Sequence, residues 1–348
     1  MRRRLWIGLG ALALSLGTTA TTLAQGTITD GNAIFRFNAG TTRGSLDFLP
    51  DGTTDHAFQN WWWFRIAGDP NETSFTWPPP QQNYSGNTAT LRWNFPQFEA
   101  VLTITLHDGA PGVATASEAL AIRNNSTSAL TIDIFNYIDF DLMGSFSDDS
   151  ATLLAPDRIG ISDPNGKRAE FYGPGSIAYQ VDDFPAIRDL LDDAVVTNLN
   201  NTGLPFGPAD FTGAMQWQFQ QIPPGEVRVV TEVLSINEPA KPWSTIQLFG
   251  SCPGPMQVVL SGNKGGQSVG LLASFNNLPF TIPPGVVCPG TVMSVRPPFQ
   301  GGTPTSFITN PQGVAVLNVN MPAVACGNLF MQALDLQNCR PSNVVRVP

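Results

Sequence analysis

Apolar and polar residues alternate with period two through almost the whole chain, and no other feature restricts the fold as much. In an extended strand successive side chains point to opposite faces, so such alternation describes strands with one buried side. Ala33-Ile34-Phe35-Arg36-Phe37 reads this way. Residues 101–106 and 117–122 read as a hairpin across the turn at 107–112, and residues 161–168, with Asp163-Pro164-Asn165-Gly166 at their centre, as a second hairpin turn. Residues 211–220 and 227–234 are expected to close as an antiparallel pair around Pro223-Pro224-Gly225. The chain's 33 glycines and 30 prolines cut it into short pieces and leave little room for helix. One segment departs from the rule. Between 183 and 195, apolar residues recur at Ile187, Leu190, Leu191, Ala194 and Val195, with Asp183 and Pro185 ahead of them. That spacing predicts one short amphipathic helix packed on a sheet.

Charge and cysteine divide the chain near residue 240. Residues 26–242 hold 26 acidic against 11 basic residues, whereas 243–348 hold four basic residues and only Asp335. All four cysteines, Cys252, Cys288, Cys326 and Cys339, lie after the divide. The expected fold is all-β with two consecutive β-sandwich domains. The first, 26–237, is large, acidic and aromatic-rich and carries the helix. A Pro-containing linker follows at 238–242, and the second domain, 243–348, is small and Ig-like. Seven short apolar strands are expected in it, at 245–249, 256–260, 268–273, 292–295, 313–319, 329–334 and 343–347. Ahead of both domains, Arg2-Arg3-Arg4, an apolar run from Leu5 to Leu16 and a small-residue region ending Thr22-Leu23-Ala24 have the order of a signal peptide, residues 1–25. This predicts a secreted, extracellular or periplasmic protein with no membrane span once cleaved. In that compartment an even cysteine count reads as disulfides. Sequential pairing, Cys252 with Cys288 and Cys326 with Cys339, closes the shortest loops. The acidic balance excludes nucleic acid as a partner.

Few constellations carry chemistry. The chain has two histidines, His56 and His107, and no Gly-x-Ser-x-Gly elbow, which argues against nucleophilic hydrolysis. His107 is expected exposed at a turn. Ile132, Ile134, Ile138, Phe140 and Leu142 form the apolar face of one long strand, opposite Asp133, Phe135, Tyr137, Asp139 and Asp141. Asp139 and Asp141 would point the same way, about 6–7 Å apart, a separation at which paired carboxylates serve glycoside chemistry. Trp61-Trp62-Trp63-Phe64 puts two aromatics on each face of a strand. One pair is then a sugar-stacking platform, or the strand is central and covered on both sides. With Tyr137, these tryptophans are the candidate ligand-binding residues. Trp77, Trp93 and Trp217 read as core. Calcium is the one cofactor candidate, with Asp148-Asp149 or Asp182-Asp183 as ligands, and a calcium or sugar site is also a reading of the Asp139 and Asp141 face.

Two stretches carry a resemblance. Ala209-Asp210-Phe211-Thr212-Gly213-Ala214-Met215-Gln216-Trp217-Gln218-Phe219, followed by Ile222-Pro223-Pro224-Gly225-Glu226, resembles a segment of uncharacterised secreted β-sandwich proteins of environmental bacteria. The ending from Cys326-Gly327 through Gln332-Ala333-Leu334-Asp335 to Cys339 and Ser342-Asn343-Val344-Val345 resembles the Cys-stapled C-terminal module of exported proteins from planctomycete-like bacteria. The resemblance implies secretion and β-architecture and assigns no functional residue. The expected function is a non-enzymatic extracellular structural or binding protein that recognises glycan or a cell-surface component. The alternatives are a carbohydrate-active enzyme using Asp139 or Asp141, and a surface-assembly or adhesion subunit.

Overall fold

The alternating runs form strands that pack in layers. A computed structural model describes residues 25–38, 46–296 and 305–348, so residues 1–24 of the expected signal peptide lie outside the described residues. The all-β expectation holds. A five-stranded antiparallel sheet has the order Ala178–Asp183, Phe211–Ile222, Leu130–Asp139, Gln59–Ile66, Thr73–Ser74. A nine-stranded sheet has the order Phe206–Ala209, Asp149–Ala155, Arg158–Ser162, Arg168–Tyr172, Val227–Ile236, Ala114–Asn124, Phe98–Asp108, Thr88–Asn94, Gln81–Ser85. Both sheets supply one apolar core, with Trp62, Phe64, Ile134 and Trp217 from the first meeting Phe98, Leu102, Ile104 and Leu120 from the second. A three-stranded sheet, Gln25–Asp30, Ala33–Asn38 and Leu46–Leu49, adds Phe35, Phe37 and Phe48 to that core.

Both hairpins form as expected. Val101 pairs with Ala121 in the first. In the second, Asp163 accepts from the Lys167 backbone N–H at 2.8 Å while Gly166 takes a φ of +86°. The expected pair at 211–220 and 227–234 does not form. Both segments are strands, but Phe211–Ile222 lies in the five-stranded sheet and Val227–Ile236 in the nine-stranded one. Pro223-Pro224-Gly225 therefore arches from one layer to the other. Asn124 pins the arch, donating through Nδ2 to the Ile222 carbonyl at 2.8 Å while its own N–H reaches Glu226 O at 3.0 Å. The helix is present but short, Ala186–Asp192, with Ile187 and Leu191 buried; Val195 is exposed beyond its end. The strand with the acidic face ends at Asp139, so Phe140, Asp141 and Leu142 lie past it.

After residue 243, Thr245–Gly250, Gly254–Ser261 and Ala315–Met321 form one sheet and Thr305–Ile308, Ser268–Ser274, Phe330–Asp335 and Arg340–Arg346 another, sharing a core around Ile246, Val258, Val269 and Ala333. These sheets also seat on the nine-stranded sheet. Phe249, Val259 and Val314 pack against Val101, Ala121 and Val227, and Gln247 Nε2 donates to the carbonyls of Val101 and Ala119 at 2.8 and 3.0 Å. The disulfides correct the sequential expectation: Cys252 joins Cys326 and Cys288 joins Cys339. Loop length did not decide the pairing, because sheet packing brings partners 74 and 51 residues apart together. Closing loops of that length contributes roughly 4 kcal/mol each.

Candidate active site

The outer face of the five-stranded sheet, away from the nine-stranded layer, carries Trp61, Trp63, Arg65, Asp133, Phe135, Tyr137 and Asp139. The helix and residues 193–204 lie over it. Trp63 Nε1 donates to Asp192 on the helix at 2.9 Å, and its ring meets Tyr137 edge-on at 6.2 Å. Arg65 is buried and donates to Glu72 at 2.6 Å, Asp133 at 2.5 Å, Asn198 Oδ1 at 2.7 Å and the Thr197 carbonyl. Thr197 N–H returns to Glu72 at 3.0 Å and Leu199 N–H to Gln216 Oε1 at 2.9 Å. This covering strap therefore satisfies its polar backbone through sheet side chains. At Gly203 the backbone takes a φ of +95°, and any Cβ would run into the Val181 carbonyl.

Beyond the helix the same face ends in an acidic cluster. One carboxylate oxygen from each of Asp139, Asp141 and Asp210 lies within 4.8 Å of the others. Asp139 is the last residue of its strand, and Asp210 precedes the neighbouring strand Phe211–Ile222. Asp141 reaches the cluster because the chain turns after the strand. Met143 takes a φ of +61°, and its N–H donates to Nδ1 of the buried His56 at 3.0 Å, while Asp141 N–H donates to the His56 carbonyl at 3.2 Å. Burial holds His56 down to about 4, so the imidazole is neutral and accepts that bond. Asp210 is held from the other side, its N–H donating to Asp183 Oδ1 at 3.1 Å.

The cluster is electrostatically uneven. Asp139 is 1% exposed. Burial, then the charges of Asp141 and Asp210, push it up to about 9. The Tyr137 hydroxyl donates to its Oδ2 at 3.4 Å, and its buried Oδ1 has no partner among the described residues. Burial of Asp141, with Asp210 and Asp55 nearby, raises it only to about 6. Burial and Asp183 also raise Asp210. Arg188, buried on the helix and paired with Asp189 at 2.7 Å, supplies the positive charge that opposes these shifts at Asp139. At the rim, Phe58 is half-exposed and meets Phe184 edge-on at 6.2 Å. At neutral pH the site thus holds a protonated carboxyl next to an ionised one, under an aromatic edge.

The other expected site residues fall elsewhere. Trp61, Trp62 and Trp63 are at most 2% exposed, and Tyr137 is fully buried. The stacking platform is corrected: the tryptophan strand is central, with Trp62 turned to the nine-stranded sheet and Trp63 to the helix. Trp77 is exposed rather than core, whereas Trp93 and Trp217 are buried. His107 is not an exposed turn residue; its ring stacks on Trp243 with centroids 3.3 Å apart. Among the described residues, the calcium candidates Asp148, Asp149, Asp182 and Asp183 form no group of three carboxylates. Asp149 is buried and accepts from Leu142 N–H at 3.3 Å, and Asp148 accepts from Ser145. Asp182 accepts from the Asp183 N–H at 2.8 Å, and Asp183 braces Asp210. Asp210 and Arg188 were missed by sequence reasoning. Neither continues an alternating pattern, and the sequence does not show that three separate loops end at one point.

No family model and no curated protein matches the chain. Among solved structures it is similar to a galactose mutarotase-like protein from Lactobacillus casei, with TM-score 0.40, 10% identity, 62% of this chain covered and 100% of that one. It is similar to an aldose epimerase homologue from C. elegans, with TM-score 0.39, 8% identity and coverage of 61% and 98%. A bacterial glucoamylase complexed with acarbose gives TM-score 0.42, 10% identity and coverage of 62% and 32%, so the chain spans about a third of that protein's length. These names run against the expectation of a non-enzymatic structural or binding protein and nearer to its enzyme alternative. The likeness is one of sheet arrangement alone, and the chemical case rests on the carboxyl groups.

Proposed function

We propose that the protein is a carbohydrate-active enzyme in which Asp139 and Asp141 form an acid–base pair beside Asp210. The observation that carries this is the meeting of three carboxylates, one buried and two half-buried, at the end of the sheet. Two like groups pushed to different proton affinities make a donor and an acceptor. Asp139 keeps its proton up to about 9 and gives it to an acetal oxygen of the sugar. Asp141, ionised above about 6, bonds to the anomeric carbon as the bond to that oxygen breaks, and a water deprotonated by Asp139 then displaces it. Carboxyl pairs about 5–5.5 Å apart act in this way, whereas wider pairs, about 6.5–9.5 Å apart, leave room for a water between them. Phe58 and Phe184 offer aromatic edges for the apolar face of a sugar ring. Two disulfides suit an oxidising compartment, and export through the N-terminal signal sequence is part of this reading.

The test is separate substitution, Asp139→Asn and Asp141→Asn, assayed on reducing sugars and oligosaccharides with calcium and with a chelator. Each variant is expected to lose about 100-fold or more in rate while keeping its circular dichroism and melting temperature. The chelator is expected to change nothing. An undiminished rate in either variant, or activity lost to the chelator and restored by calcium, would overturn the acid–base reading.

A further inference from the structure

Far from the carboxyl cluster, a cleft of about 800 Å³ opens between the nine-stranded sheet and the C-terminal sheets, with Pro239, Ala240, Lys241 and Pro242 along it. That volume suits a ligand of several rings. In a chain of net charge −9, the cleft is lined by Arg158, Lys241, Lys264 and Arg340 and by one carboxylate, Asp335. Two of the chain's three lysines are here. Asp335 spends its oxygens locally, accepting from the N–H groups of Gln337 and Asn338 at 2.9 and 3.2 Å and from Asn338 Nδ2 at 2.7 Å. Arg158 is partly countered by Glu170 at 3.6 Å. Among the described residues, Lys241, Lys264 and Arg340 make no ion pair.

The cationic groups are matched by aromatic surface. Half-buried Tyr172 and Phe219 line the cleft, and the Arg158 guanidinium lies 4.1 Å over the Tyr172 ring while Nη2 donates to the Ala240 carbonyl at 3.1 Å. On the other side Arg340 lies 4.8 Å over Trp243, whose opposite neighbour is the stacked His107. Both arginines are thus set in place before any ligand arrives, and the two lysines are exposed. Ring faces for stacking together with spaced cations fit sugar rings that bear anionic groups. A phosphodiester chain is disfavoured by the 26 acids against 11 basic residues of the segment before 243.

We infer that this cleft binds an anionic saccharide whose carboxylate or sulfate groups meet Lys241, Lys264 and Arg340 while its rings pack on the aromatic wall. The inference stands apart from the acid–base reading. The experiment is calorimetric titration of the full protein and of a Lys241→Ala/Lys264→Ala variant with oligogalacturonate, a sulfated galactan oligosaccharide, a neutral glucan and inorganic polyphosphate. Binding of one or both anionic saccharides is expected, and which one binds identifies the anionic group. Binding should weaken by about tenfold or more in the double variant and as salt rises, with no binding of the glucan. Asp139→Asn is expected to bind as the unsubstituted protein does, so loss of catalysis and loss of this site are read separately. Failure of both anionic saccharides to bind, binding unchanged in the double variant, or polyphosphate bound as tightly as the saccharides would overturn the inference.

Discussion

At the scale of single residues the molecule stands out for the carboxyls it buries. Besides Asp139, Glu118 and Glu232 sit opposite each other on adjacent strands, inside the core between the two large sheets. Glu118 accepts from Trp62 Nε1 at 2.7 Å and Asn60 Nδ2 at 3.1 Å, while Glu232, with Asn60 close by, has neither oxygen in bonding geometry with a donor among the described residues. Burial raises Glu118 to about 7 and Glu232 well above the usual carboxylate range, Glu118 adding to the latter. The folded state therefore holds protons that the unfolded chain has released. Their stabilising contribution is complete below the unfolded value of 4.5 and is lost as pH rises through the folded values. Glu232→Gln should be more stable than the unsubstituted protein at pH 8 by about 1 kcal/mol or more and nearly equal to it near pH 4, as measured by denaturant unfolding. An equal or lower stability at pH 8 would show that the charge is accommodated. Neither glutamate stands out in the sequence, because an acid in an alternating run reads as solvent-facing until the covering layer is known. The same ambiguity leaves both readings of the tryptophans open in the sequence. Two aromatics on each side of one strand announce double-sided burial only once a second layer covers each face.

At the scale of elements, local chemistry was legible and long-range partnership was not. The Asp163–Gly166 turn, the hairpin at 107–112 and the helix at 186–192 each have their cause within a few residues, and the sequence shows them. The arch at 223–225 looks like a hairpin turn in sequence, and only Asn124, about a hundred residues earlier, makes it cross between sheets. The covering strap at 193–204 likewise has no pattern of its own. It is held by a buried arginine from a strand that is distant in sequence. Arg65 joins Glu72, Asp133, Asn198 and Thr197, so removing it strands two buried carboxylates and frees the strap. Arg65→Ala should cost about 3–5 kcal/mol in unfolding free energy, and hydrogen exchange at the Thr197 and Leu199 amides should quicken more than at the strand centres. A loss below about 1 kcal/mol would mean that the strap is held by other contacts.

At the scale of the whole molecule, the divide in charge and cysteine near residue 240 was visible in the sequence, and it coincides with a change of sheet. The crossed disulfides and the seating of the C-terminal sheets on the nine-stranded layer were not, since both depend on surfaces brought together after folding. The candidate site was half legible. Asp139 and Asp141 stood out as an i, i+2 pair, but their expected spacing assumed a strand that continues. The turn at Met143 and the arrival of Asp210 convert that pair into a cluster whose burial sets its proton affinities. The most direct test of the proposed chemistry is therefore the pH dependence of kcat/KM on the best carbohydrate substrate. The account predicts a bell: activity falls below about 6 as Asp141 takes up a proton and above about 9 as Asp139 gives one up, and Asp141→Asn removes the acid limb along with most of the rate. A profile flat across that range, or one whose limbs persist unchanged in Asp139→Asn and Asp141→Asn, would contradict it.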